Sequence, residues 1–122
     1  MSFFDRYTAT EAALADMRQG IQDALIGLDL RDIGVSQAII LARAGDGEVS
    51  VGELEETAYV GTNASYNIQK LVRAGYLARR KDASDLRRRF VSLTEKGAEV
   101  AAALRSRLDG AAIAGKSEAR AA

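Results

Sequence analysis

At 122 residues, 48% hydrophobic and 28% charged, the chain has the size and make-up of one globular domain, and no apolar run approaches the roughly 18 to 20 residues that span a bilayer. It has no cysteine and no histidine, which excludes disulfides and removes the commonest metal ligand and general base, so no metal, cofactor or catalytic residue is expected. The formal charge is zero, yet residues 1 to 61 hold 4 basic and 11 acidic side chains and residues 62 to 122 hold 13 and 6, a split that points the second half toward a polyanion.

In chain order, MSFFDRYTATE lacks the basic-then-apolar order of a secretion signal, and a cytoplasmic protein is expected. Thr8 and Glu11 stand in capping-box spacing, and Leu14, Met17, Ile21, Leu25 and Leu28 recur at threes and fours, predicting a helix over about 9–28. Ile39, Ile40 and Leu41 centre a second helix that begins near Val35 and stops at Gly45, with Asp46 and Gly47 turning the chain. Ser50 and Glu53 repeat the cap spacing ahead of Leu54 and Ala58, giving a short third helix.

A tight turn at Tyr59 to Gly61 leads to Thr62, which can cap a fourth helix with Ala64, Ile68, Leu71, Val72 and Gly75 on one face. Gly75 closes it, and Tyr76 to Lys81 and Arg88 to Leu93 read as strands around Asp82 to Arg87, with Leu77, Val91 and Leu93 toward the core. Thr94 restarts a helix to about Asp109, with Val100, Ala101, Leu104 and Leu108 on its apolar side. The alanine-rich stretch from Gly110 is expected to fray, leaving 111–122 as a flexible tail behind a single domain over 1–110. The whole is mainly α with a small β-hairpin, and a short helix turning into a second helix before a hairpin is the winged helix-turn-helix layout.

Reading the major groove of DNA needs donors and acceptors on the exposed, N-terminal face of a helix. Thr62, Asn63, Ser65, Tyr66 and Asn67 meet that requirement, and Lys70 and Arg73 on the same helix are placed for the phosphate backbone. An ordinary solvated face would be rich in Glu and Lys, whereas this one carries no acid. The hairpin concentrates Arg79, Arg80, Lys81, Arg87, Arg88 and Arg89 against Asp82 and Asp85, cations that repel one another without a partner. Arg87, beside the turn, is placed to enter a minor groove, with Asp85 orienting it and Arg88 and Arg89 gripping phosphate. Competing readings are a charge-protected edge hairpin, a winged-helix protein-interaction module that grips an acidic protein, and an enzyme built on carboxylates.

LVRAGYLARR and DASDLRRRFVSLTEKG, with their spacing, resemble the MarR family of bacterial transcriptional regulators. Members carry an Asp-Arg-Arg wing followed by an apolar strand and Leu-Thr-Glu-x-Gly; the corresponding residues are Asp85, Leu86, Arg87, then Val91 to Leu93, Thr94, Glu95 and Gly97. Leu86 thus replaces the first wing arginine, and Arg87 falls on the family's minor-groove position. GTNASYN further resembles the recognition helix of an LdtR-like proteobacterial subgroup.

The resemblance implies sequence-specific binding of double-stranded DNA by a homodimer paired through the helices at 9–28 and 95–109. Its two recognition helices would lie about one DNA turn, ~34 Å, apart on a near-palindromic operator. Family members commonly have two long C-terminal helices, and here the second is reduced to the Ala/Gly tail. Many relatives bind small phenolic or other aromatic effectors; no residue here identifies such a ligand. Phe3, Phe4 and Tyr7 fit a cleft lining, a hydrophobic staple or a dimer clasp.

Overall fold

The first helix starts earlier than its periodicity predicts. In the computed structural model, which describes residues 2–45, 47–57 and 63–121, Ser2 Oγ accepts the Asp5 N–H at 3.2 Å and Asp5 Oδ2 accepts the Ser2 N–H at 3.3 Å. That reciprocal cap begins α1, Phe3–Gly27, six residues ahead of the expected start at 9. Thr8 lies inside the helix and donates to the Phe4 carbonyl at 2.9 Å, so it caps nothing. At the other end the Leu30 N–H returns to the Leu25 carbonyl across Asp29, whose φ of 56° is left-handed.

The predicted stripe along α1 divides in two. Ile21, Leu25 and Leu28 pack into or against the core, whereas Leu14 and Met17 are exposed with Phe3, Phe4 and Tyr7. Among the described residues, these five apolar side chains of one helix are not part of the core.

Helix α2 (Val35–Ala44) ends at Gly45, whose φ is 57°. Strand β1 (Val49–Ser50) and α3 (Val51–Thr57) follow, and the Glu53 N–H donates to Ser50 Oγ at 3.1 Å in the expected cap. Asp46, Ala58, the turn Tyr59 to Gly61, and Thr62 lie outside the described residues, and Thr62 is the one expected DNA contact among them. Helix α4 (Ala64–Arg73) buries Ala64, Ile68 and Leu71, the spacing the sequence predicts. Its N-cap position is Asn63, and Gly75 at φ 86° turns the chain out of it.

Strands β2 (Leu77–Lys81) and β3 (Arg89–Leu93) form the expected hairpin in the register Leu77↔Leu93 to Lys81↔Arg89. The sheet has a third strand, because β1 pairs antiparallel with β3 through Val49↔Val91 and Ser50↔Phe90, giving the order β1-β3-β2. Two residues are too few to show an alternating pattern, so β1 leaves no signal in the sequence. Helix α5 (Glu95–Ala121) runs through Gly110 where an end near 109 was expected. Alanine is the strongest helix former, and Ala111, Ala112 and Ala114 carry the backbone on past that glycine.

One core joins these elements: Leu25 of α1, Ile40 and Leu41 of α2, Leu54 of α3, Ile68 and Leu71 of α4, Leu77, Val91, and Leu104 of α5. The start of α5 locks onto the turn after α4. Thr94 N–H donates to the Tyr76 carbonyl, Thr94 Oγ1 donates to the Gly75 carbonyl at 2.6 Å, and the same hydroxyl accepts the Gly97 N–H at 3.1 Å. Gly97 lies so close to the Tyr76 carbonyl that a Cβ there would overlap it. The Thr94-Glu95-Lys96-Gly97 string is thus the joint that fixes where the hairpin leaves the helical body. Among the described residues no helix is long and apolar enough to cross a membrane.

Candidate nucleic-acid interface

The buried face of α4 dictates what its other face presents. Anchoring Ala64, Ile68 and Leu71 in the core turns Ser65, Tyr66, Gln69, Lys70 and Arg73 to solvent, with Tyr66 58% exposed. None of these five is acidic, and both cations stand in the last turn, where they complement the helix dipole. Asn63 is exposed, and its side chain makes no cap hydrogen bond to α4.

Asn67 is corrected by the structure. It falls three residues after Ala64 on the core side and is buried, with Oδ1 accepting from Gln37 Nε2 at 3.2 Å. Gln37 is buried too, and its Oε1 accepts the Gly34 N–H at 2.9 Å, so one amide caps α2 and ties it to α4. Asn67 is therefore a structural partner of α2, not a member of the exposed reading face. An Asn–Gln pair 30 residues apart carries no sequence signal short of the folded geometry.

The hairpin tip is built by side chains folding back on their own backbone. Asp82 Oδ1 accepts from Ser84 N–H at 3.0 Å and Ser84 Oγ at 2.8 Å, bonds that hold the Asp82 carboxyl below the usual carboxylate range. Asp85 Oδ1 accepts the Arg87 N–H at 3.0 Å and lies 3.4 Å from Arg87 Nε, while the Arg87 side chain is 93% exposed. Asp85 thus holds the backbone of Arg87 and lies beside its guanidinium. Leu86 stands beside it at the apex, also exposed.

The other hairpin cations are not equivalent. Arg80 makes a two-pronged ion pair with Glu48, Nε to Oε2 at 2.6 Å and Nη2 to Oε1 at 3.1 Å, which holds the Glu48 carboxyl low and raises the Arg80 guanidinium. Phe90 lies between two cations, its ring centroid 4.8 Å from the Arg80 guanidinium and 5.3 Å from that of Arg88. Arg88 also lies 4.0 Å from Asp82, whereas Arg89 is exposed. Sequence reasoning missed Glu48 because β1 is what brings it to Arg80, and it passed over Phe90 as part of the run Arg87-Arg88-Arg89-Phe90.

Comparison with known proteins gives the same outline. A model of the winged helix DNA-binding domain matches residues 35–97. The exopolysaccharide II synthesis transcriptional activator ExpG of Rhizobium meliloti (strain 1021) is 33% identical over 111 residues, 90% of this chain, and the chain spans 57% of the length of that relative. Among solved structures, a MarR-like transcription regulator from Bacillus cereus ATCC 10987 superposes with a TM-score of 0.70 at 26% identity over 87% of this chain and 76% of that one. A mutant form of MarR from E. coli, complexed with operator DNA, shares the fold with a TM-score of 0.65 at 19% identity over 88% of this chain and 79% of its own. The match over α2 through Gly97 places the chain in the winged helix DNA-binding domain family, and its fold is similar to that of the MarR-like regulator.

Proposed function

We propose that the chain is a sequence-specific transcriptional regulator that binds double-stranded DNA as a homodimer, with α4 in the major groove and the hairpin wing in the minor groove. The observation that carries this reading is the pairing of an exposed, acid-free α4 face with a wing whose Arg87 stands almost wholly in solvent on a backbone fixed by Asp85. Asn63, Ser65 and Tyr66 read base edges, Lys70 and Arg73 hold phosphates, and Arg87 enters the minor groove. Thr62, just ahead of α4, belongs with the reading residues on the sequence argument alone. The operator complex of the E. coli relative supports duplex DNA as the partner.

The dimer is supported by the exposed apolar row on α1, Phe3, Phe4, Tyr7, Leu14 and Met17, on a helix that packs against α5. A second copy covering that row would bury it. The test is a fluorescence-anisotropy titration of labelled duplexes at several salt concentrations. Binding that weakens steeply with salt supports the reading, and no binding to any duplex at low salt refutes it.

A further inference from the structure

The wing divides its charges between two faces. Across the antiparallel register, alternate residues share a face, so Leu77, Arg79 and Lys81 stand with Arg89, Val91 and Leu93. Ala78 and Arg80, with Phe90 and Ser92, occupy the other. On that second face the cations are matched: Arg80 holds Glu48 and lies on Phe90, and Arg88 leans on the same ring within 4.0 Å of Asp82. The first face is apolar at its base, where Leu77 and Val91 enter the core, and turns cationic toward the tip. There Arg79, Lys81 and Arg89, all exposed, line a cleft of about 280 Å³. Among the described residues no ion pair engages any of the three.

We propose that Arg79, Lys81 and Arg89 form a clamp for a backbone phosphate of duplex DNA, an inference that rests on the function proposed above. Three like charges around one cleft repel each other, and an oxyanion placed among them relieves that repulsion. Guanidinium forks from Arg79 and Arg89 match the oxygens of a phosphodiester in pairs, and the Lys81 ammonium adds a point charge. A duplex is favoured over other polyanions by continuity, since β2 leaves the turn that closes α4 and carries the cleft out beside the reading helix. Arg80, the strand residue between Arg79 and Lys81, is a wing-bracing residue and takes no phosphate.

The experiment measures duplex affinity against sodium chloride for the full chain, using a duplex that the unaltered chain binds. The double variant Arg79→Gln/Lys81→Gln is expected to lose about tenfold or more at ~0.15 M salt, and its log–log salt slope to shrink by about 0.9 for the phosphate released. Arg79→Lys, which keeps the charge, is expected to keep the slope, as is Arg80→Gln. An unchanged slope in the double variant overturns the clamp, as does an equal loss in Arg80→Gln. Saturation of the Arg79 and Lys81 NMR signals by sub-millimolar inorganic phosphate overturns it in favour of a free-anion site. Loss of poly-glutamate binding with duplex binding intact overturns it in favour of an acidic protein. If the unaltered chain binds no duplex, the proposed function fails; if it binds and the double variant binds equally, only the clamp fails.

Discussion

Gly97 and Tyr76 show how single residues set the position of the whole wing. A glycine in a helix ordinarily costs about 1 kcal/mol against alanine, so Gly→Ala inside α5 would be expected to stabilise. At Gly97 the sign reverses, because the new methyl would fall on the Tyr76 carbonyl. Gly97→Ala is expected to cost about 1–3 kcal/mol by urea denaturation, the usual range for overpacking. Tyr76 itself is buried beneath this joint, donates its hydroxyl to Asp32 at 2.8 Å, and has the Lys96 ammonium 4.2 Å from its ring centroid. Burial first, and then the Asp32 hydrogen bond and charge, push its pKa up to about 12. A folded pKa above the unfolded one means that the stabilisation is complete below the ordinary tyrosine value near 10 and is lost as pH rises through about 12. A tyrosinate absorbance titration is expected to show a late step near pH 12, which Tyr76→Phe removes.

Two asparagines on consecutive turns of one helix have opposite surroundings, and their substitutions are expected to separate them. Asn63 is exposed and makes no cap hydrogen bond to α4, so Asn63→Ala is expected to leave stability nearly unchanged while altering base preference by about 1–3 kcal/mol at one position. Asn67→Ala strands the buried Gln37 amide and is expected to cost about 1–3 kcal/mol of stability. A Gln37–Asn67 double-mutant cycle in denaturant checks the coupling, which is absent if the bond contributes nothing.

At the scale of elements, what the sequence discloses depends on how local the cause is. The order of helices and hairpin, the cap of Ser50 on Glu53, the turn at Gly75 and the inward side of the hairpin at Leu77 and Val91 follow from neighbouring residues, and the structure has them. Strand β1 depends on Val49 meeting Val91 and the Glu48–Arg80 pair on residues 32 apart, and no spacing rule reaches that far. The start of α1 was legible in Ser2 and Asp5, but Thr8 and Glu11 offered the same spacing nearer the apolar repeat. Leu14 and Met17, part of the apolar stripe predicted along α1, are exposed because periodicity shows which face is apolar and not what covers it. The wing's arginines were legible as a cluster, while their division into paired and unpaired faces needed the register. Arg87→Ala is expected to weaken every duplex alike and to lower the salt slope by about one, measured by anisotropy; an unchanged affinity removes Arg87 from the wing contact.

On the scale of the molecule, the neutral total conceals an acidic first half and a basic second half. Some of the acids in the first half brace the basic second half, Glu48 on Arg80 and Asp32 on Tyr76. The exposed apolar row on α1 is the counterpart at the other end, a surface that the proposed dimer would cover. Phe4→Glu with Met17→Glu is expected to convert dimer to monomer in sedimentation velocity, since each large apolar side chain buried contributes about 1.5–3 kcal/mol. The same variant is also expected to lose duplex affinity, because each half-site then binds alone.

Selection of duplexes from a random-sequence pool by the unaltered chain tests the central claim most directly. The expected result is enrichment of one near-palindromic sequence with half-sites about one turn, ~34 Å, apart, and a shift in the enriched bases when Tyr66→Ala replaces the unaltered chain. A selected pool no different from the input would contradict it, as would a motif that Tyr66→Ala and Asn63→Ala both leave unchanged.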